Sequence, residues 1–246
     1  MSARPASGRG PLVTALAAAQ SWFLEPAVPV EKSAIVELSA RPVVLVMGLA
    51  PGCGATMVAR ALGAELARRD PGGTAAVGGL GGGAPAVGTQ GAGRLARTLA
   101  NLSEARPRPL GRLCVTDRAD PRALADALRY LAPLVLEAGA EETPAALAAL
   151  ADRTVLVGGP GVEPALAAVV SASLSASPAP SPARAGDPLP PVVVANRVAE
   201  AADWDDRAEL VLPESRLGAR LALGGREPRG ELGRGIRALA DRCEVP

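Results

Sequence analysis

At 246 residues, 48% of them hydrophobic, the chain is long enough to bury the core of one α/β domain or of two small ones. Its 26 basic and 25 acidic side chains nearly cancel. With only four aromatics (Trp22, Phe23, Tyr130, Trp204), there is no specific nucleic-acid signal, neither a polyanion-binding charge nor a stacking platform. Histidine is absent and the three cysteines, Cys53, Cys114 and Cys243, are scattered; this excludes His-based triads and imidazole metal sites, argues against a disulfide framework, and fits a reducing, cytoplasmic setting.

Residues 1–40 read as an N-terminal tail broken by Pro5, Pro11, Pro26 and Pro29, with a short helix around Val13–Phe23. The apolar run Leu12–Ala19 is too short to span a bilayer, so no transmembrane segment is expected. Strand and helix patterns then alternate over 41–246. Val43–Met47 is a continuous apolar run, as expected of a buried parallel strand. Met57–Arg69 has a helical spacing of apolar residues and ends in arginines that suit a helix C-terminus. Thr74–Val77 is a weak second strand, and Gly93–Ser103 reads as a helix with Leu95, Leu99 and Leu102 on one face. Leu113–Val115 is a strand, and Asp120-Pro121 supplies the cap and first turn of a helix over Arg122–Tyr130; Asp117 also reads as a capping residue.

Further along, Pro133–Leu136 is a buried strand that ends in Glu137-Ala138-Gly139. Thr143-Pro144 opens a helix over Ala145–Ala151, Thr154–Val157 is a strand and Glu163–Ser173 a helix. Ala176–Pro191, rich in Pro, Ser and Ala, reads as a mobile loop within the domain. Pro191–Ala195 is a strong strand ending in Asn196-Arg197; a short strand at Glu209–Leu212 and helices near Ser215–Leu223 and Glu231–Arg242 follow. The alternation predicts an α/β fold: a doubly wound, mainly parallel sheet with helices on both faces.

Ligands of such sheets sit beyond the carboxyl ends of the strands. Three suggestive segments follow strands directly and should therefore meet on one edge. The first is Gly48–Thr56 (Gly-Leu-Ala-Pro-Gly-Cys-Gly-Ala-Thr), a strand–loop–helix context like that of a phosphate-binding loop. Its lysine position is Ala55, and the chain's one lysine, Lys32, lies before the strand. The others are Glu137-Ala138-Gly139 and Asn196-Arg197.

The order of these pieces resembles the MinD/ParA-like P-loop NTPase family, including the TadZ/CpaE-type pilus-localisation proteins. Gly52-Cys53-Gly54-Ala55-Thr56 matches the second half of the family's deviant P-loop, and Leu134–Gly139 its Walker B turn. Val192–Arg197 matches the base-binding strand, and Leu212-Pro213-Glu214 with Leu217–Pro228 the C-terminal segment. The resemblance implies the P-loop NTPase fold and a nucleotide site of Gly48, Pro51, Gly52, Cys53, Gly54, Ala55 and Thr56, with Asn196 and Arg197 at the base. It implies Thr56 and Glu137 as Mg²⁺ ligands, and Glu137 as the residue positioned for catalysis.

The departures fall on the chemistry. Both loop lysines of the family are alanines here, Ala50 and Ala55; Thr74–Gly83 carries no carboxylate, and the Walker B aspartate is Glu137. Two readings of the loop stay open. Either it still takes ATP and Mg²⁺, or it is a structural remnant with no cofactor. Arg60, one turn into the helix, is the substitute cation if its side chain folds back over the loop. For Cys53 the expected role is a small residue in a tight turn, Cys114 belongs to an apolar strand, and Cys243 falls in a frayed terminus; Trp204 is expected to pack on its own domain.

These residues favour a spatial-organising or adaptor protein with degenerate Walker motifs and weak or lost nucleotide binding. The resemblance implies a homodimer and a protein partner in partition, pilus or secretion machinery. The alternatives are a slow Mg²⁺-dependent ATPase of the MinD/ParA type and a P-loop kinase or ligase acting on a small molecule. The charged stretch Glu231–Arg242 does not read as a membrane-targeting helix.

Overall fold

A computed structural model describes residues 40–79, 95, 107–117, 120–139, 144–176, 189–198 and 201–244. The tail and its expected helix over Val13–Phe23, most of Gly93–Ser103 and most of the loop Ala176–Pro191 lie outside these residues; of Gly93–Ser103 only Leu95 is described, helical and buried.

The chain enters the domain through β1 (Val43–Gly48), whose six residues are all buried. Helix α1 (Ala55–Arg69) follows, then β2 (Ala75–Gly79), β3 (Arg108–Leu110) and β4 (Leu113–Asp117). Next come α2 (Pro121–Leu128), β5 (Leu134–Ala138), α3 (Pro144–Ala148), β6 (Arg153–Gly158), α4 (Pro164–Ser175) and β7 (Val192–Asn196). A 3-10 turn (Ala201–Trp204), β8 (Leu210–Leu212), α5 (Arg216–Leu223) and α6 (Gly230–Cys243) complete it.

The eight strands form one sheet in the order β3-β4-β2-β5-β1-β6-β7-β8. Every pairing is parallel except that of β3 with β4. Alternation along β1 shows how the sheet divides the core. Val44 and Val46 pack with the buried residues of α1 and α6, whereas Val43, Leu45 and Met47 pack with Leu124 and Leu128 of α2, Leu147 of α3 and Ala167 and Leu174 of α4. Both faces are thus covered by helices, which is why the central strands read as unbroken apolar runs. The doubly wound α/β expectation holds.

Four local differences have physical causes. Edge strand β3 was not anticipated, because it is three residues long and carries Pro109, which only an edge strand tolerates. Strand β5 runs on through Glu137 and Ala138, so the carboxylate stands within the strand, in register with Val46 of β1 and Gly79 of β2, and not in the turn after it. Helix α2 stops two residues short of Tyr130 and α3 three short of Ala151. Cys243 is no frayed end: it is fully buried in the last turn of α6, because that turn packs into the same core as α1.

The order in which strands are added across the sheet reverses beside β1. The strands formed between β1 and β6 lie on one side of it, and β6, β7 and β8 on the other. The loop that leaves the end of β1 therefore sits at the crevice where an open α/β sheet receives its ligands.

Candidate phosphate-binding site

The loop Leu49–Gly54 leaves β1 and turns into α1 through two left-handed glycines, Gly52 (φ +77°) and Gly54 (φ +91°). Gly54 is held by space as well as conformation: a Cβ there would lie 2.3 Å from Asn196 Nδ2. Gly48 and Gly159 let the loop settle onto the sheet, since a Cβ on either would come within 2.8 Å of Cys53. Cys53 itself is 3% exposed, a small residue filling a tight turn, as its sequence context implied.

Gly54 is the N-cap of α1 and offers no side-chain acceptor, and no acidic residue stands in the first turn. The N–H groups of Ala55 and Thr56 have no carbonyl one turn back to bond, so the helix end presents bare donors and the positive end of its dipole. Such an end accepts an anion. Pro51 and Gly52 are exposed beside it, while Ala55 is half-buried and packs its methyl group against the core.

Thr56 Oγ1 donates a hydrogen bond to Glu137 Oε1, joining the loop to the end of β5 across 81 residues. A hydroxyl and a carboxylate are hard oxygen donors that fit Mg²⁺ when phosphate and water complete its shell. Among the described residues no group of three or more carboxylates and thiols could hold a metal unaided, so the fit is to a Mg²⁺–phosphate pair, not to a protein cage. Asp117, expected only as a cap, ends β4 in register with Gly79, which is itself in register with Glu137. It places a second acidic residue on this edge. The sequence signal was an aspartate closing a strand, read instead as the start of the next helix.

Asn196 and Arg197 reach the loop from β7. Asn196 is fully buried and its Nδ2 donates to the Cys53 carbonyl at 2.8 Å. Arg197 has left-handed backbone (φ +56°), and its guanidinium donates to the Gly52 carbonyl at 2.5 Å. Both therefore bind the carbonyl side of the loop, which leaves its N–H donors uncommitted to them. All three segments meet at one edge as expected.

Arg60 departs from expectation. It is 5% exposed and its Nη1 donates to the Leu223 carbonyl at the C-terminal end of α5, at 3.0 Å. The packing of α1 against α5 aims it at that helix end, whose carbonyls attract a cation, and not back over the loop. A cavity of about 380 Å³, lined by Gly159, Val162, Val198, Asp203 and Trp204 among others, adjoins the loop where Gly159 meets Cys53. Trp204 is 3% exposed and lays its indole against Gly158, packing on its own domain.

Thiol chemistry finds no support. Burial pushes the Cys114 and Cys243 thiols up to about 12, so both stay protonated at neutral pH.

No protein-family model and no curated protein matches the sequence. Solved structures do match its fold. A ParA family ATPase from Chlorobium tepidum TLS superposes with a TM-score of 0.54 at 11% identity, over 82% of this chain and 98% of that one. MinD cell division protein from Aquifex aeolicus matches with a TM-score of 0.52 at 16% identity, over 83% and 98% of the two chains. A chain of the MinC:MinD cell division protein complex from Aquifex aeolicus matches with a TM-score of 0.52 at 17% identity, over the same shares. A central β1 followed by a glycine loop and α1, within an eight-stranded, mostly parallel sheet, is accordingly a MinD/ParA-like P-loop NTPase fold.

Proposed function

We propose that this chain is a degenerate MinD/ParA-like P-loop protein that organises or adapts other proteins, with weak nucleotide binding and no efficient hydrolysis. One observation carries the reading: at the lysine position the Ala55 methyl packs on the core, while the nearest helix cation, Arg60, is committed to the Leu223 carbonyl. The backbone cradle and the Thr56–Glu137 pair support retained binding, since bare N–H donors need no lysine to accept phosphate oxygens. Phosphoryl transfer needs more, because it depends on stabilising charge that develops on the transferred group.

ATP, when bound, would supply the phosphates and Mg²⁺ the charge between them. For this chain's own part, Gly54, Ala55 and Thr56 would hold the phosphate through N–H groups. Thr56 and Glu137 would hold the cation, and Asn196 and Arg197 would fix the loop from behind. The fold neighbour assembled as a MinC:MinD complex supports a role through a protein partner, and self-association is the simplest further expectation. A slow Mg²⁺-dependent ATPase is the second reading, favoured by the direct Thr56–Glu137 contact.

Calorimetric titration with Mg·ATP beside a turnover assay tests this. One lost contact to a charged phosphate is worth about 1.5–3 kcal/mol, so Ala55→Lys should tighten binding about 10- to 100-fold over the wild type. Wild-type turnover that Thr56→Ala abolishes would establish the ATPase reading instead. No binding by either protein at millimolar ATP would leave the loop a structural remnant.

A further inference from the structure

We infer that the chain holds a second anion site, away from the P-loop, built for a small ligand carrying two or more phosphate groups. It is a cavity of about 480 Å³ between the β3–β4 turn and the α5–α6 connection, lined among others by Arg112, Arg226, Arg229, Arg237, Glu227 and Gly230. The β3–β4 turn immediately precedes Leu113, which is in register with Ala75 at the start of β2. The cavity thus borders the opposite end of the strands from the P-loop, and the inference does not rest on nucleotide binding there.

Charge is the first argument. Among the described residues, four arginines and one carboxylate share this cavity, in a chain whose net charge is only +1. Glu227 lies 3.5 Å from Arg112, and among the described residues Arg226, Arg229 and Arg237 make no ion pair. All four arginines are exposed and so can meet a ligand from solvent, and the planar guanidinium fork matches phosphate oxygens in pairs.

Backbone supplies the second. Arg229 is the N-cap of α6 and provides no side-chain cap, so the fourteen-residue helix opens onto the cavity with N–H groups that no cap fills, while Glu231 of its first turn pairs with Arg234. At Gly230 a Cβ would meet nothing within 4 Å, so there is room beside that backbone. The floor is set by Gly111 and Gly225, which cross so closely that a Cβ on Gly225 would lie 2.1 Å from the Leu110 carbonyl oxygen. This crossing, with the Arg112 N–H donating to the Gly225 carbonyl at 3.4 Å, brings the backbones of Arg112 and Arg226 beside one another.

Size and lining choose the ligand class. The volume falls in the range of small-molecule sites. Among the described residues no aromatic side chain lines it to stack on a base. A compact polyphosphate group satisfies both conditions.

Inorganic pyrophosphate, titrated calorimetrically at low and physiological salt, is the probe. Three proteins are compared: the wild type, Arg229→Gln/Arg237→Gln, and Thr56→Ala/Arg197→Gln with a weakened P-loop. Melting temperatures confirm that all three are folded. Wild-type binding should persist in the P-loop double variant and weaken at least tenfold in the arginine double variant, given about tenfold for each charge-assisted contact. Absence of wild-type binding at millimolar pyrophosphate, or loss in both variants or in neither, would overturn the assignment, as would loss in the P-loop variant alone. A 30-base-pair duplex bound more tightly than pyrophosphate and released by the same arginine changes would also overturn it, as the surface would then be one for nucleic acid.

Discussion

At its C-terminal end, α1 is tied down by a network of charged side chains, whereas at its N-terminal end, beside the Thr56–Glu137 bond, its first N–H groups are left without a side-chain cap. Glu65 is buried and accepts hydrogen bonds from Arg68 at 2.5 Å and Arg69 at 2.8 Å. Arg69 continues the network to Asp241 at 2.7 Å and Glu244 at 3.0 Å, and Asp70 pairs with Arg41 at 2.7 Å. The two arginines also complement the negative end of the helix dipole. Nothing comparable stands at Gly54, where no side chain caps the helix. Other helices show that a cap was available to this sequence: Asp120 accepts from the Arg122 N–H at 2.9 Å, and Ser215 from the Gly218 N–H at 3.1 Å. The contrast separates an end satisfied internally, which serves stability, from an end left open, which suits an external anion.

The largest test of that contrast is Gly54→Ala. It forces a side chain into left-handed backbone and into the Asn196 amide, and should cost about 2–3 kcal/mol from the conformation plus the lost Asn196–Cys53 bond. In a thermal melt this is a fall of about 5–10 °C for a domain of this size. An unchanged melting temperature would mean that the loop end is not held as described.

Next in size is Glu65→Ala, at about 1–2 kcal/mol, because Arg68 and Arg69 are partly solvated and Arg69 keeps two other partners. It carries a pH signature. Burial opposes ionisation of Glu65, but the hydrogen bonds and charges of Arg68 and Arg69 outweigh it and hold its carboxyl below the usual range. A depressed folded-state value means that the contribution is complete above the unfolded carboxylate value of about 4.3 and is lost as pH falls through the lower folded one. Denaturant melts should therefore show the gap between wild type and variant closing in acid, and a gap independent of pH would remove the ion pairs from the account.

The smallest effect is expected of Asp120→Ala, which removes an exposed cap from α2 and should cost about 0.5–1 kcal/mol. It calibrates what an ordinary helix start is worth. Adding the missing cap by Gly54→Ser would be no fair converse, because the left-handed backbone disfavours it and its Cβ would meet the Asn196 amide.

Much of this was legible from residue order. The unbroken apolar runs at Val43–Met47 and Val192–Ala195 read as strands covered on both faces, and Asp120-Pro121 announced its helix. A glycine loop between strand and helix was visible with its lysine missing. Strand β3 was not legible, since three residues including a proline carry no periodicity. Nor was Cys243, since a position near the terminus says nothing about which helix face meets α1.

The sequence by itself determined the alternation of strands and helices, the loop's glycines and the loss of its lysines, because these depend on local conformation and composition. Tertiary structure alone decided that Asn196 and Arg197 grip the loop's carbonyls across about 145 residues, and that Thr56 meets Glu137. It also decided that Arg60 turns to Leu223 and that Arg112 joins Arg226, Arg229 and Arg237 around one cavity. Those outcomes follow from which strands lie side by side and how the helices cross them, and chain spacing does not encode that.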